Sequence, residues 1–199
     1  LDGELENVQR FYDAGFRMMS LQHFFDNRLG GSLHGVSGAG LTDFGRAVVR
    51  QIEELNIILD LSHSSEAVVR DVLSMAQRPV VISHTGFKGH CDTGRNIADD
   101  LMKQIASRGG LIAVGYWDAA ACGVTPASVA EAIVYGVNLI GAEHVALGSD
   151  FDGTVTTGFD TSELAAITDA LLANGLNEKQ TRQVMGENMA RVLGRYLPE

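Results

Sequence analysis

Short runs of consecutive apolar residues alternate with stretches of helical periodicity along the whole chain, and this alternation limits the folds open to it. The runs cover residues 16–23, 57–63, 79–84, 111–116 and 145–150. A strand that is apolar on successive residues has both faces covered, as in a parallel sheet flanked by helices. Between the runs, Phe44, Val48, Val49, Ile52 and Leu55 recur at helical spacing behind Thr42, and Ser64 or Ser65 can cap the helix that follows. Thr125-Pro126 opens another helix, with Pro near its first turn. Further helices are expected over 4–14, 97–107, 161–173, 177–185 and 187–196. Five strand–helix units in strict alternation predict an α/β fold with a parallel sheet and helices outside it. No linker divides the chain, so 1–199 reads as a single domain.

Composition excludes more than it identifies. A net charge of −10 argues against a nucleic-acid binder or a protein that coats an anionic membrane. No apolar run reaches the roughly 18 residues of a transmembrane helix. The start, Leu1-Asp2-Gly3, lacks an initiator Met and reads as the interior of a longer chain. The two cysteines, Cys91 and Cys122, form no metal-type spacing and no disulfide framework, and both are expected to be free thiols.

Polar residues collect at the ends of the apolar runs. His23, His63, His84 and Asp150 each close one. In parallel α/β folds catalytic groups gather at the carboxyl ends of strands, and four such ends converge if the strands curve into a barrel. Imidazoles and carboxylates are zinc ligands, and a catalytic zinc lowers the pKa of its water to about 7, so the set points to metal-assisted hydrolysis. Ser62 and Ser83 precede their histidines and should face the other way, which argues against a serine nucleophile. The ordinary alternatives are a polar residue at a loop mouth for each histidine and a turn residue for Asp150, although Asp152-Gly153 fills that role better. His34 lies in a Gly-rich loop that reads as flexible, His144 precedes its strand, and His90 follows His84 in a loop from which it could reach the site. The glycines between 30 and 40 do not match a phosphate loop. Arg95 is either a surface ion-pair residue or a receptor for a carboxylate.

Several segments resemble the membrane (renal) dipeptidase family in order along the chain: 16–27 with Leu21-Gln22-His23, Gly40-Leu41-Thr42-Asp43-Phe44-Gly45, Asp60-Leu61-Ser62-His63, Pro79-Val80-Val81-Ile82-Ser83-His84, Arg95-Asn96-Ile97-Ala98-Asp99-Asp100 and Gly148-Ser149-Asp150-Phe151-Asp152-Gly153. The resemblance implies a (β/α)₈ TIM-barrel fold of amidohydrolase type with two zinc ions. It implies His63 and His84 as metal ligands, His23 as the group that polarises the scissile carbonyl and holds the oxyanion, and Arg95 as the partner of the substrate's C-terminal carboxylate. Asp150 would carry the proton from the metal-activated water to the leaving amine. The implied substrate is a dipeptide. The family's His-x-Asp motif and its metal-bridging Glu have no match here, and a complete barrel takes about 250 residues. The barrel is therefore expected to be incomplete, covering strands four to eight.

Two other functions compete. A related amidohydrolase could cleave a lactone or phosphoester, but such substrates need no carboxylate anchor. A non-catalytic role through association, including a homo-oligomer, would use the unpaired edges of an open sheet. With only two metal ligands identified, the chain by itself is expected to hydrolyse dipeptides poorly.

Overall fold

The computed structural model describes residues 1–197. Its strands are β1 (Met18–Ser20), β2 (Ile58–Asp60), β3 (Val81–Thr85), β4 (Leu111–Val114) and β5 (Val145–Leu147), in a five-stranded sheet of order β1-β2-β3-β4-β5. The pairing is parallel, with Met18 opposite Ile58, Asp60 opposite Val81 and Ile112 opposite Val145. This is the α/β architecture expected from the alternation. The described residues form two compact units, one of Leu1–Val81 with the chain from Leu193 onward, the other Ile82–Val192.

The first unit contains α1 (Glu6–Asp13), β1, α2 (Asp43–Glu54), β2, α3 (Glu66–Met75) and the start of β3. The Thr42 hydroxyl accepts the Gly45 N–H and starts α2; the Ser65 hydroxyl accepts the Val68 N–H and starts α3. Both satisfy amides that a helix start leaves open. Val48, Val49 and Ile52 of α2 and Val68, Val69 and Val72 of α3 are buried, in each helix an i, i+1, i+4 set that shares one face. Tyr196 donates its hydroxyl to the carbonyl of Pro79 and accepts the Asn56 side-chain amide on its own carbonyl.

The second unit carries the rest of β3, α4 (Asp99–Ser107), β4, the short α5 (Asp118–Ala121), α6 (Pro126–Ile140), β5, α7 (Ala165–Ala173), α8 (Glu178–Arg182) and the first turns of α9 (Asn188–Tyr196). Thr125 and Ser128 cap α6 reciprocally, with Pro126 in its first turn. All four residues of β4 are buried. A π turn, Gln183–Glu187, leads into α9. There Asn188, 2% exposed, donates its side-chain amide to the carbonyls of Ala142 and Val145 at 2.7 and 2.8 Å.

Two expectations change. The strands are shorter than the apolar runs. β2 ends at Asp60 and β5 at Leu147, because the backbone turns into the left-handed region at His63 (φ 64°) and Asp150 (φ 58°). His23, His63 and Asp150 thus stand just beyond their strands, and only His84 lies within one. The cysteines are not free thiols: Cys91 and Cys122 form a disulfide, with Cα atoms 5.5 Å apart. Their separation of 31 residues carries no local pattern; the chain reversal through β4 and α5 brings them together. Among the described residues no helix is long and apolar enough to cross a membrane.

Replacing Asn188 with Ala would remove a buried side-chain donor from two carbonyls at the base of β5, of which that of Ala142 keeps the Val145 N–H. A hydrogen bond contributes about 0.5–1.5 kcal/mol net, and a stranded buried polar group costs about 1–3 kcal/mol. Asn188→Ala is expected to lower the unfolding free energy by about 2–3 kcal/mol in urea titrations.

Candidate metal and substrate site

In the first unit the polar cluster is made of histidines. The ring centroids of His23 and His63 are 4.5 Å apart, and Nε2 of His34 lies 3.1 Å from Nδ1 of His63. Phe24 packs against all three rings at 4.2–5.7 Å. The loop carrying His34 is far from the flexible segment its glycines suggest. The carboxylate of Asp26 accepts the amides of Ser32, Val36 and Ser37. These bonds, Ser32 first, hold the Asp26 carboxyl below the usual carboxylate range. Glycine at 35 permits this approach, since a Cβ there would collide with the carboxylate. The Ser32 hydroxyl donates to the His23 carbonyl at 2.5 Å and accepts the His34 N–H at 3.1 Å. The loop is then stitched to the end of β2: Leu33 N–H reaches the His63 carbonyl at 2.7 Å, and Ser65 N–H reaches Gly31. His34 is the residue that sequence reasoning undervalued.

In the second unit His84 and Arg95 are joined directly. Arg95, 7% exposed, donates from Nη2 to the His84 carbonyl at 2.6 Å and from Nη1 to the Thr85 hydroxyl at 3.3 Å. Its guanidinium also lies 5.2 Å from the Trp117 ring centroid. It is therefore not a surface residue. The loop that presents it is clamped to α5 by the Cys91–Cys122 disulfide, by the Asn96 amide on the carbonyls of Cys91 and Ala120, and by the Thr93 hydroxyl on Ala119. Asp150 sits in a turn closed by the Gly153 N–H on its carbonyl. A Cβ at Gly153 would collide with the Asp150 carboxylate, so glycine leaves that group its room. The buried ring of Tyr116 supports this turn through Phe151 and Phe159 at 5.5 and 5.2 Å, and burial pushes its hydroxyl pKa up.

The donors fit a metal in one specific respect. Nδ1 of His63 is engaged by His34, and Nδ1 of His84 by the Ser83 hydroxyl at 2.8 Å. A metal takes an imidazole nitrogen while the other nitrogen is held by an outer group, so both rings would present Nε2. The Ser83 contact also corrects the expectation that this hydroxyl faces away from His84. Among the described residues, no three His, Cys, Asp or Glu side chains are gathered into a set that could hold a metal by themselves. His90 packs beside Tyr135 at 5.6 Å, and His144 contacts the Gly110 carbonyl.

The membrane dipeptidase family (peptidase family M19) matches residues 1–196. The chain belongs to this family. It is 33% identical to the dipeptidase AclJ of Aspergillus oryzae, over 98% of this chain and 48% of that protein. An amidohydrolase from Pseudomonas aeruginosa superposes with a TM-score of 0.86 at 26% identity, over 100% of this chain and 70% of that one. A metallopeptidase from Rhodobacter sphaeroides, liganded with a phosphinate mimic of L-Ala-D-Ala, does so at 0.85 and 25%, over 98% and 60%. The family expected from the motifs is the family matched. The fold is of its (β/α)₈-barrel type, in part: the five βα units here span about half the length of the Aspergillus relative.

The Asp26 anchor has a pH signature. A carboxyl whose folded pKa is depressed contributes stability that is present above its unfolded value, near 3.9, and lost as pH falls through the lower folded value. The protection factors of the Ser32, Val36 and Ser37 amides are expected to hold down to about pH 4 and to fall only below it. In Asp26→Asn the same amides should be less protected above that pH, and the difference from wild type should close as the carboxyl protonates.

Proposed function

We propose that this chain is part of a zinc-dependent dipeptidase that cleaves the single peptide bond of a dipeptide with an activated water. The observation that carries the reading is the bond from Arg95 to the His84 carbonyl. It sets a fixed, planar cation beside a histidine of metal-ligand type. A dipeptide places its free carboxylate one residue from its scissile carbonyl, and that compact pairing suits a carboxylate receptor next to a metal centre. Family membership and the likeness to a metallopeptidase liganded with a dipeptide mimic support the same reading.

His63 and His84 would hold zinc through Nε2. A catalytic zinc normally takes three protein ligands, so a further carboxylate or imidazole is required. Zinc would supply a Lewis acid and a water that ionises near neutral pH. The chain's own residues supply the remaining steps. Arg95 pairs with the substrate carboxylate, and its prior fixation by His84, Thr85 and Trp117 reduces the ordering cost of the pair. The His23 ring, beside His63, donates to the scissile carbonyl oxygen and holds it as negative charge develops. Asp150 takes the proton from the attacking water and delivers it to the departing amine. Its left-handed turn lifts the carboxylate out of the strand line.

Two variants of the full-length protein test these roles. In Arg95→Ala, kcat/KM for a dipeptide should fall at least about 100-fold further than for the same dipeptide amidated at its C-terminus. A lysine cannot reproduce the bidentate fork, so Arg95→Lys should recover only part of the difference. Equal losses on both substrates would remove the anchoring role. In Asp150→Asn, turnover should fall by about 10²–10⁴-fold, the range for a lost general acid–base group, with zinc content unchanged.

A further inference from the structure

The contact between His34 and His63 is made by a built element. Asp26 gathers three amides of the loop, Ser32 fixes the His34 backbone, and Leu33 is bonded to the carbonyl of His63 itself. The loop and the turn at His63 are therefore held in one register, and the two rings meet as a consequence. The His34 ring also lies 5.3 Å from the half-exposed Phe24, whose ring limits its movement on another side.

We propose that His34 is a positioning residue for the metal centre: it accepts the Nδ1–H of His63 on its Nε2, and so fixes both the tautomer and the ring orientation in which His63 offers Nε2 to zinc. This rests on the metal-ligand role of His63 set out above. The chemistry admits one arrangement of protons. A neutral imidazole has one N–H, and the nitrogen that binds a metal must give its lone pair, so the proton sits on the other nitrogen. With Nδ1 of His63 3.1 Å from Nε2 of His34, that proton points at His34, whose own proton is then on Nδ1. Ser83 holds Nδ1 of His84 in the equivalent way, so each ligand histidine has its own partner for the ring nitrogen turned away from the metal. Such partners orient the ring, and losing one typically costs about 10–100-fold in metal affinity.

The rival is that His34 is itself a ligand, because two nitrogens bound at 2.0–2.1 Å to one tetrahedral zinc also stand about 3.3 Å apart. The two arrangements respond differently to glutamine. Its amide oxygen can accept the His63 N–H, but a carboxamide is a poor substitute for an imidazole on zinc.

The test uses full-length wild type, His34→Gln and His34→Leu. Zinc affinity is measured by competition with a chelator of known strength, and the cobalt(II)-loaded forms are compared by visible spectroscopy at saturation. Positioning predicts that His34→Leu binds zinc about 10–100-fold more weakly, that His34→Gln recovers to within about threefold, and that all three cobalt spectra keep the same intensity. Unchanged affinity in His34→Leu overturns the proposal. So does a cobalt spectrum altered alike in both variants, which would make His34 a ligand. If wild type holds no zinc, the metal reading of His63 fails and takes this inference with it; if wild type holds zinc and only the variants behave otherwise, the inference alone fails. Should the leucine variant not fold, His34→Asn, too short to reach the ring, is expected to show the same loss.

Discussion

Burial of the central strands on both faces is the constraint on which the rest of the structure depends. Ile58, Leu59, Val81, Ile82 and every residue of β4 are at most 4% exposed. Such strands have no face left for water, and a charged group within them would pay the full cost of desolvation. The candidate groups therefore gather near and just beyond the carboxyl ends of the strands, His84 in the last residues of β3 and His23, His63 and Asp150 past theirs. At His63 and Asp150 the chain leaves the sheet through left-handed backbone, a conformation that histidine and aspartate visit more readily than most residues. Backbone of this kind persists where its surroundings enforce it: at His63 the Leu33 N–H on its carbonyl and the Ser65 N–H on Gly31 of the facing loop, at Asp150 the turn closed by Gly153 and backed by Tyr116.

The loops that carry the remaining groups are rigid for reasons that differ between the two units. In the first, one ionised carboxylate, Asp26, organises the loop through backbone amides, and glycines at 31 and 35 serve close approach. In the second, a covalent bond and the side chains of Asn96 and Thr93 fasten the Arg95 loop to α5. Both devices fix a group before any substrate arrives. Preorganisation of this kind separates a receptor for a carboxylate or a metal from a collection of polar surface residues.

The parallel sheet and nearly every helix were legible in the sequence because they rest on local signals: apolar runs, helical spacing, and the caps at Thr42, Ser65 and Thr125. Three features were not. The strands were read several residues too long, since the runs continue through Leu61 while the left-handed turn at His63 depends on contacts from a loop some 30 residues away. The disulfide depends on a chain reversal through β4 and α5 that spacing cannot show. The glycines around His34 suggest freedom; what decides its place is Asp26, whose grip on three amides exists only once the loop is folded.

The central claim is that a metal at His63 and His84 drives hydrolysis of a dipeptide. It is tested most directly by measuring the turnover of a simple dipeptide by the full-length protein before metal removal, after stripping with a chelator, and after adding zinc back, alongside His63→Ala and His84→Ala. The account predicts that turnover disappears with the metal, returns with zinc in the wild type, and does not return in either variant. Undiminished turnover in the stripped protein, or full recovery in both variants, would contradict it.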